Sequence, residues 1–296
     1  MTSNTAIRVD AITKSYGDVR ALQSISLEVA DGSLFGLIGP DGAGKTSLIR
    51  ILTSLLLPDS GTATVLGLDV VRDYKELRKR FGYMPGRFSL YQDLSIQENI
   101  EFFGAVFGSD MRTAYELIRD VYVQIEPFKD RKAGQLSGGM KQKLALCCAL
   151  IHQPDILFLD EPTTGVDAVS RTEFWDMLTR YKNNGLTILV STPYMDEALR
   201  CDTIAFMKSG SILAIDQPGN MKKHFPKPLW SVKSANRHAL LKSLNDMEGI
   251  HSAWPFGETV HVAIEEGRDI KKMLPSDTII QPIEPGIEDV FMELSR

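Results

Sequence analysis

Leu34-Phe35-Gly36-Leu37-Ile38-Gly39-Pro40-Asp41-Gly42-Ala43-Gly44-Lys45-Thr46-Ser47 is the stretch on which the reading of the whole chain turns. Leu34 to Ile38 is a short apolar run of strand type, and from Lys45 to Leu57 the pattern is helical. Between them, Gly39 to Thr46 has the spacing of a phosphate-binding loop, in the strand–loop–helix setting that motif requires. Its glycines let backbone N–H groups close on a phosphate, Lys45 adds a compact positive charge, and the helix N-terminus adds its own partial charge. The Thr46 hydroxyl suits Mg²⁺. Composition alone yields such a match in roughly one chain of this length in a hundred. The candidate nucleotide contacts are therefore Gly39, Pro40, Asp41, Gly42, Ala43, Gly44, Lys45, Thr46 and Ser47.

Working outward, Phe81 to Met84, Ile156 to Leu159 and Leu186 to Val190 are further apolar strands, alternating with helical segments. Gly185 stands before the last of them as a helix cap. Buried strands separated by helices predict a mostly parallel sheet covered by helices on its faces. Leu157-Phe158-Leu159 ends in Asp160 and Glu161, and the carboxyl end of a parallel strand is where α/β sheets bind ligands. Asp160 is the second candidate metal ligand, and Glu161 is the candidate base for an attacking water.

Composition bounds the alternatives. The 296 residues carry a formal net charge of -5 with 43% hydrophobic and 24% charged residues. That describes an ordinary globular chain without the overall basic surface that nucleic acid demands, so no nucleic-acid partner is expected. Met1 to Asp10 lacks the apolar core of a secretory signal. The longest apolar run, Leu144 to Ile151, is far short of the ~20 residues that span a bilayer, so work at a membrane needs a spanning partner. Cys147, Cys148 and Cys201 fit neither a metal site nor a disulfide framework, which suggests a reducing compartment, and Cys147 and Cys148 read as core residues.

Between Ser95 and Val123 the pattern is helix upon helix, opened by the capping box Ser95-Ile96-Gln97-Glu98. Thr203 to Ile215 reads as a hairpin turning at Ser209-Gly210. Pro226 and Pro228 mark a boundary. Beyond them Leu229 to Arg296 reads as a small α+β appendage, with a strand near Trp230, a helix from His238 to Met247, strands near His251 and Val260, and a last helix at Ile287 to Leu294.

Leu136-Ser137-Gly138-Gly139-Met140-Lys141-Gln142 opens a long helix, with Ser137 as its cap and two glycines baring N–H groups to an anion. In this order of motifs the chain resembles the ABC ATPase family, over residues from about 5 to 225. The resemblance implies an α/β, P-loop NTPase fold: a RecA-like, mostly parallel sheet with an antiparallel β edge, an inserted helical subdomain and the small α+β appendage. It implies an ATP-binding domain over 1–225, with the helical subdomain at about 87–150, and an accessory domain over 226–296. Its ligands are ATP and Mg²⁺. Ser137, Gly138 and Gly139 match the signature that meets the ATP of an opposing subunit, Tyr16 matches the aromatic that stacks on adenine, and Asp167 matches the loop facing that subunit. The partners implied are a membrane-spanning permease subunit and a second ABC ATPase subunit, homo- or heterodimeric. The place implied is cytoplasmic, peripheral on the inner face of the plasma or inner membrane. Gly286-Ile287-Glu288-Asp289-Val290-Phe291 is similar to the ending of the drug, antibiotic and polysaccharide exporter branch.

Two positions depart from the family pattern. Pro85-Gly86 stands where a proline is usually followed by a glutamine, with Gln92 six residues too late to match it. Pro193, in Ser191-Thr192-Pro193-Tyr194, stands where a histidine usually bonds the γ-phosphate, and proline offers no donor. The expectation is a chain whose own site hydrolyses slowly while its intact signature completes a partner's site, which favours a heterodimer. The competing expectations are a nonhydrolytic ATP-binding regulatory subunit and a soluble, non-transport ABC ATPase.

Overall fold

A computed structural model describes residues 5–234, 236–245, 247–274 and 278–296. The chain forms two compact units that divide between Gln217 and Pro218, so residues 218–225 belong with the C-terminal unit rather than with the first 217.

The first unit opens with β1 (Thr5–Tyr16), β2 (Val19–Ala30) and β3 (Leu34–Ile38), then α1 (Lys45–Leu52), β4 (Ser60–Val65), β5 (Leu68–Asp69), α2 (Tyr74–Leu77) and β6 (Phe81–Met84). It continues with α3 (Ile96–Phe107), α4 (Met111–Tyr122), α5 (Gly138–Leu150), β7 (Ile156–Asp160), α6 (Ala168–Asn183), β8 (Thr187–Thr192), β9 (Thr203–Lys208) and β10 (Ser211–Asp216). One six-stranded sheet runs β10-β9-β3-β8-β7-β6. Its strands are parallel apart from β10, which pairs antiparallel with β9. The rest of the antiparallel structure is a separate sheet, β2-β1-β4-β5.

Every residue of β3, β7 and β8 is buried, as expected of strands covered on both faces. β2 instead alternates over its second half, the mark of a strand with one dry face. Leu48, Ile49, Ile51 and Leu52 of α1 join Ile7, Leu27 and Val65 of the antiparallel sheet and Phe35, Phe158 and Leu189 of the parallel one in a single core. Each such side chain contributes about 1.5–3 kcal/mol by leaving water. The helix that follows the glycine-rich loop is thereby clamped between two sheets. It stops at Leu52, short of the expected Leu57, because the Thr53 hydroxyl bonds back to Ile49 O at 2.8 Å and Ser54 takes a positive φ.

The helical stretch is locally encoded. Ser95 Oγ accepts from Glu98 N, and Glu98 Oε2 accepts from Ser95 N at 2.7 Å. Gly108 ends α3 in the left-handed conformation, and Asp110 caps α4. The buried Asn99 amide binds Tyr91, Leu94 and Ser95 through four hydrogen bonds, fixing the loop ahead of α3. Cys147, Cys148 and Cys201 are all buried and free, and burial pushes their thiols up. Among the described residues no helix is long and apolar enough to cross a membrane.

The second unit contains α7 (Pro218–Met221), β11 (Leu229–Lys233), α8 (Arg237–Asn245), β12 (Ile250–Phe256), β13 (Thr259–Ile264), α9 (Ile270–Met273), β14 (Ile279–Ile283) and α10 (Ile287–Leu294). From β11 to β14 the order is β-α-β-β-α-β, and the sheet order β12-β13-β11-β14 is that of the split βαβ, ferredoxin-like motif. Val232, Leu240, Leu244, Val260, Val262 and Ile270 form its core. The last helix is tied to the sheet by two histidine–carboxylate contacts, His261 Nδ1 to Asp289 Oδ1 at 2.7 Å and His251 Nε2 to Glu293 Oε1 at 2.6 Å.

Candidate active site

The loop from Gly39 to Gly44 joins β3 to α1 at the carboxyl end of the parallel sheet. Two of its glycines are required by space: a Cβ on Gly39 would come 2.1 Å from Met207 O, and one on Gly44 would come 2.5 Å from Ala21 O. Gly44 caps α1 at φ 104. The tip of the β9–β10 hairpin supports the loop from outside, with Gly210 N donating to Ala43 O at 3.0 Å and Gln23 N donating to Gly210 O at 2.7 Å. Ser209 and Gly210 both take positive φ, the geometry of a tight hairpin turn.

Lys45 is 3% exposed. Its Nζ donates to Gly39 O at 2.7 Å and Pro40 O at 3.0 Å and lies 3.0 Å from Glu161 Oε1. At the next residue, Thr46 Oγ1 donates to Asp160 Oδ1 at 3.1 Å. The two candidate metal ligands, 114 residues apart in sequence, therefore meet. All the atoms converging there are oxygens, which suits a hard cation. Among the described residues no group of three or more His, Cys, Asp or Glu side chains is placed to hold a metal ion. Mg²⁺ is commonly bound by one or two protein oxygens together with phosphate.

Ser191 has no role in the sequence reading, yet it contacts both acidic residues, the Asp160 carboxylate and the Glu161 backbone. Its Oγ donates to Asp160 Oδ1 at 2.7 Å and accepts from Glu161 N at 3.0 Å. Its place at the carboxyl end of β8, the strand beside β7, is the signal that marks it. Glu161 has φ 50, a conformation that costs about 1–3 kcal/mol in a non-glycine residue and gathers at functional sites.

An open cavity of about 820 Å³ takes in Asp41 to Ser47, Glu161, Ser209 and Asp18 to Ala21. Tyr16 lies at its edge, half exposed, with its hydroxyl 3.4 Å from Ser47 Oγ. Ser137, Gly138 and Gly139 are not part of that cavity. They open α5, where Ser137 Oγ accepts from Met140 N, and a Cβ on Gly139 would come 2.7 Å from Ser170 Oγ. The signature thus packs on the start of α6, which Asp167 caps by accepting from Ser170 N at 3.0 Å. Hydrogen bonds from the Ser170 backbone and hydroxyl hold the Asp167 carboxyl below its ordinary range. A second cavity, about 830 Å³, opens near Asp31, Asp155 and Gly185, at the amino ends of the strands and away from every motif residue.

Neither Gln92 nor His152 reaches the site to replace the missing glutamine and histidine. Gln92 packs on the turn at Gly134, whose N–H its carbonyl accepts at 2.9 Å. His152 lies past the end of α5, with Nε2 2.9 Å from Phe81 O and its ring stacked on Phe107, and burial lowers its pKa. Gly86, by contrast, is close: a Cβ there would lie 3.0 Å from Asp160 O and 3.8 Å from Asp160 Oδ2.

The model of the family described as ABC transporter matches residues 22–164. The Nod factor export ATP-binding protein I of a Rhizobium species is 33% identical, over 99% of this chain and 98% of that protein. The chain belongs to the ABC transporter family. The probable multidrug ABC transporter ATP-binding protein YbhF of Escherichia coli is 40% identical over 220 residues, 74% of this chain, and the chain spans 38% of that protein's length. Among solved structures, a dimeric ATP-binding cassette in a post-hydrolysis state bound to ADP and Pi is 25% identical, with a TM-score of 0.65, covering 71% of this chain and 98% of that one. In an ABC domain the ligands are ATP and Mg²⁺.

Proposed function

We propose that this chain is the ATP-binding, ATP-hydrolysing subunit of an exporter, working with a separate membrane-spanning permease subunit on the cytoplasmic face of the membrane. The observation that carries this reading is the convergence of Lys45, Thr46, Asp160 and Glu161 at the mouth of one glycine-built loop. Lys45 and the loop N–H groups hold the β- and γ-phosphates, Tyr16 lies against the base, and Glu161 takes a proton from water. A Mg²⁺ ion held through Thr46 and Asp160 would neutralise charge on the terminal phosphates. The signature at Ser137 to Gly139 stands outside this cavity, which supports its acting on the nucleotide of a second ABC subunit.

A heterodimer is the form favoured by Gly86 and Pro193. A preorganised charge-stabilising donor is typically worth on the order of 10²–10³ in rate, and both usual donors are missing from this chain's own site. The exporter assignment draws on the naming of the relatives and on the Gly286 to Phe291 ending. The permease would dock at the helical region, residues about 87–150. There an apolar groove of about 330 Å³ is lined by Phe81, Leu90, Phe103 and Phe107, and Tyr91 and Phe102 stand exposed. The domain division proposed is an ATP-binding domain followed by an accessory domain of split βαβ form.

Two measurements test this reading. ATP turnover by the lone chain, beside a Lys45→Ala control, distinguishes an enzyme from a nonhydrolytic regulatory subunit. Proteins that copurify with the chain from its native membrane identify the permease and the second ATPase; recovery with ribosomes or DNA alone would sink the transport assignment.

A further inference from the structure

Glu197 is charged, 3% exposed, and outside the motifs that define the site. We infer that it is a positioning residue for hydrolysis, holding the segment that follows Glu161 in fixed relation to the end of β8; this rests on the site being an ATPase site.

Its carboxylate gathers three donors from three stretches of chain. Oε1 accepts from Thr163 Oγ1 at 2.8 Å and from Arg171 Nε at 3.0 Å, and Oε2 accepts from Thr192 Oγ1 at 2.5 Å. Thr163 stands two residues after Glu161, in a tight turn where Thr164 N donates to Glu161 O and Val166 N donates to Thr163 O, both at 3.2 Å. That turn leads directly to Asp167. Thr192 ends β8, and its carbonyl accepts from Gly39 N at 3.2 Å. The first glycine of the phosphate loop is thus tied to the same strand end. Arg171 lies on α6, one turn past Asp167, with its guanidinium 4.1 Å from the Tyr194 ring centroid and 3.2 Å from Asp196 Oδ2.

A carboxylate that only needed neutralising would be served by Arg171 alone. The two hydroxyls come instead from the two segments that flank the site, and burial of a charge is costly unless its remaining lone pairs are used. Pro193 makes the arrangement consequential. Lacking an N–H, it cannot pin the chain after β8, and the turn is held by side chains: Tyr194 N donates to Thr192 Oγ1 at 3.1 Å, and Thr192 Oγ1 donates in turn to Glu197. In a chain without the usual histidine, Glu197 fixes where the β8 end and the Glu161 segment sit.

The test uses the full chain with saturating Mg-ATP and compares wild type, Glu197→Gln and Thr163→Val. Thr163→Val keeps the Arg171–Glu197 pair and removes one hydroxyl, so it stays informative if Glu197→Gln folds poorly. Three quantities are read: Mg-ATP affinity by titration, the single-turnover hydrolysis rate, and amide exchange over residues 161–167 and 192–197. Glu197→Gln is expected to keep affinity within about twofold, to slow hydrolysis at least tenfold, and to speed exchange in both segments together. Thr163→Val is expected to move in the same direction by about threefold. Unchanged hydrolysis, or faster exchange confined to 192–197, overturns the inference. If wild type binds Mg-ATP without turning it over, the hydrolytic reading fails, and the exchange measurement still decides whether Glu197 couples the two segments.

Discussion

Lys45 Nζ and Glu161 Oε1 lie 3.0 Å apart, so the cation of the phosphate loop and the candidate base are partners. A phosphate that draws on Lys45 must replace this contact, and Glu161 is then released toward water. Binding and readiness for chemistry are thus linked through one ion pair. Lys45→Ala removes the loop's only cation, and affinity for Mg-ATP should fall at least tenfold, roughly 1.4 kcal/mol. Glu161→Gln removes the competitor and should raise affinity a few-fold, since partly exposed pairs are worth up to about 1 kcal/mol. Titration of both variants checks this. Movement in the same direction would show that Glu161 does not compete for Lys45.

The helix caps of the inserted region give a second expectation. Ser95 closes the capping box of α3, and Ser95→Ala should cost about 1 kcal/mol, read as a lower midpoint in denaturant. Asp110 caps α4, and hydrogen bonds from the Thr113 hydroxyl and backbone N–H lower its pKa to about 2. Because the folded value lies below the ordinary ~3.9 of an unfolded aspartate, its stabilisation is fully present above about pH 4. It is lost as pH falls through about 2. The melting temperature of wild type should exceed that of Asp110→Asn at pH 5, and the gap should close toward pH 2. A gap that widens in acid would contradict the sign.

What could be read in the sequence was what is local. The loop from Gly39 to Thr46, the Asp160–Glu161 strand end, the Ser95–Glu98 box and the Ser209-Gly210 turn each need only a few consecutive residues, and each adopts the expected local conformation. Ser191 and Glu197 were not assigned, because their partners at Asp160, Thr163 and Arg171 are brought to them by the sheet across 26 to 34 residues. The antiparallel sheet is legible only in part: Gly17-Asp18 and Leu66-Gly67 are local turns joining β1 to β2 and β4 to β5, whereas β1 pairs with β4 across a long stretch of chain. In the second unit β14 carries Pro282 inside the strand, where proline argues against one, and α9 is a single turn. The split βαβ topology was hidden by those two elements.

Turnover is the third expectation. With Gly86 and Pro193 in place, the lone chain should hydrolyse ATP well below one per second, under the ordinary enzyme range. Pro193→His restores the usual donor, provided the backbone relaxes once proline is gone. Gly86→Gln points toward the Asp160 carboxylate, but its Cβ would sit 3.0 Å from Asp160 O, so the β7 end must give by a few tenths of an ångström. The double variant should be faster than wild type, with most of the gain from position 193. A wild-type rate of several per second would remove the case for a degenerate site.

The last expectation concerns asymmetry in the assembled transporter. If this chain's own site is weak while its signature completes a stronger one, two drastic substitutions should have unequal effects. Glu161→Gln removes the candidate base from the weak site and should cost the complex little. Gly138→Asp places a carboxylate at the first turn of α5, where the opposing γ-phosphate must sit. Sterically the change is mild in the chain itself, since a Cβ on Gly138 meets only Gly165 O at 3.3 Å. Electrostatically it sets like charge against the phosphate in a partly dry interface and takes the helix N-terminus for itself. Hydrolysis and transport should both be largely abolished. ATPase activity of the reconstituted complex decides the matter for each variant. Equal losses would mean two equivalent sites, as in a homodimer. A larger loss from Glu161→Gln would reverse the assignment and make this chain's carboxylate strand the working one despite Gly86 and Pro193.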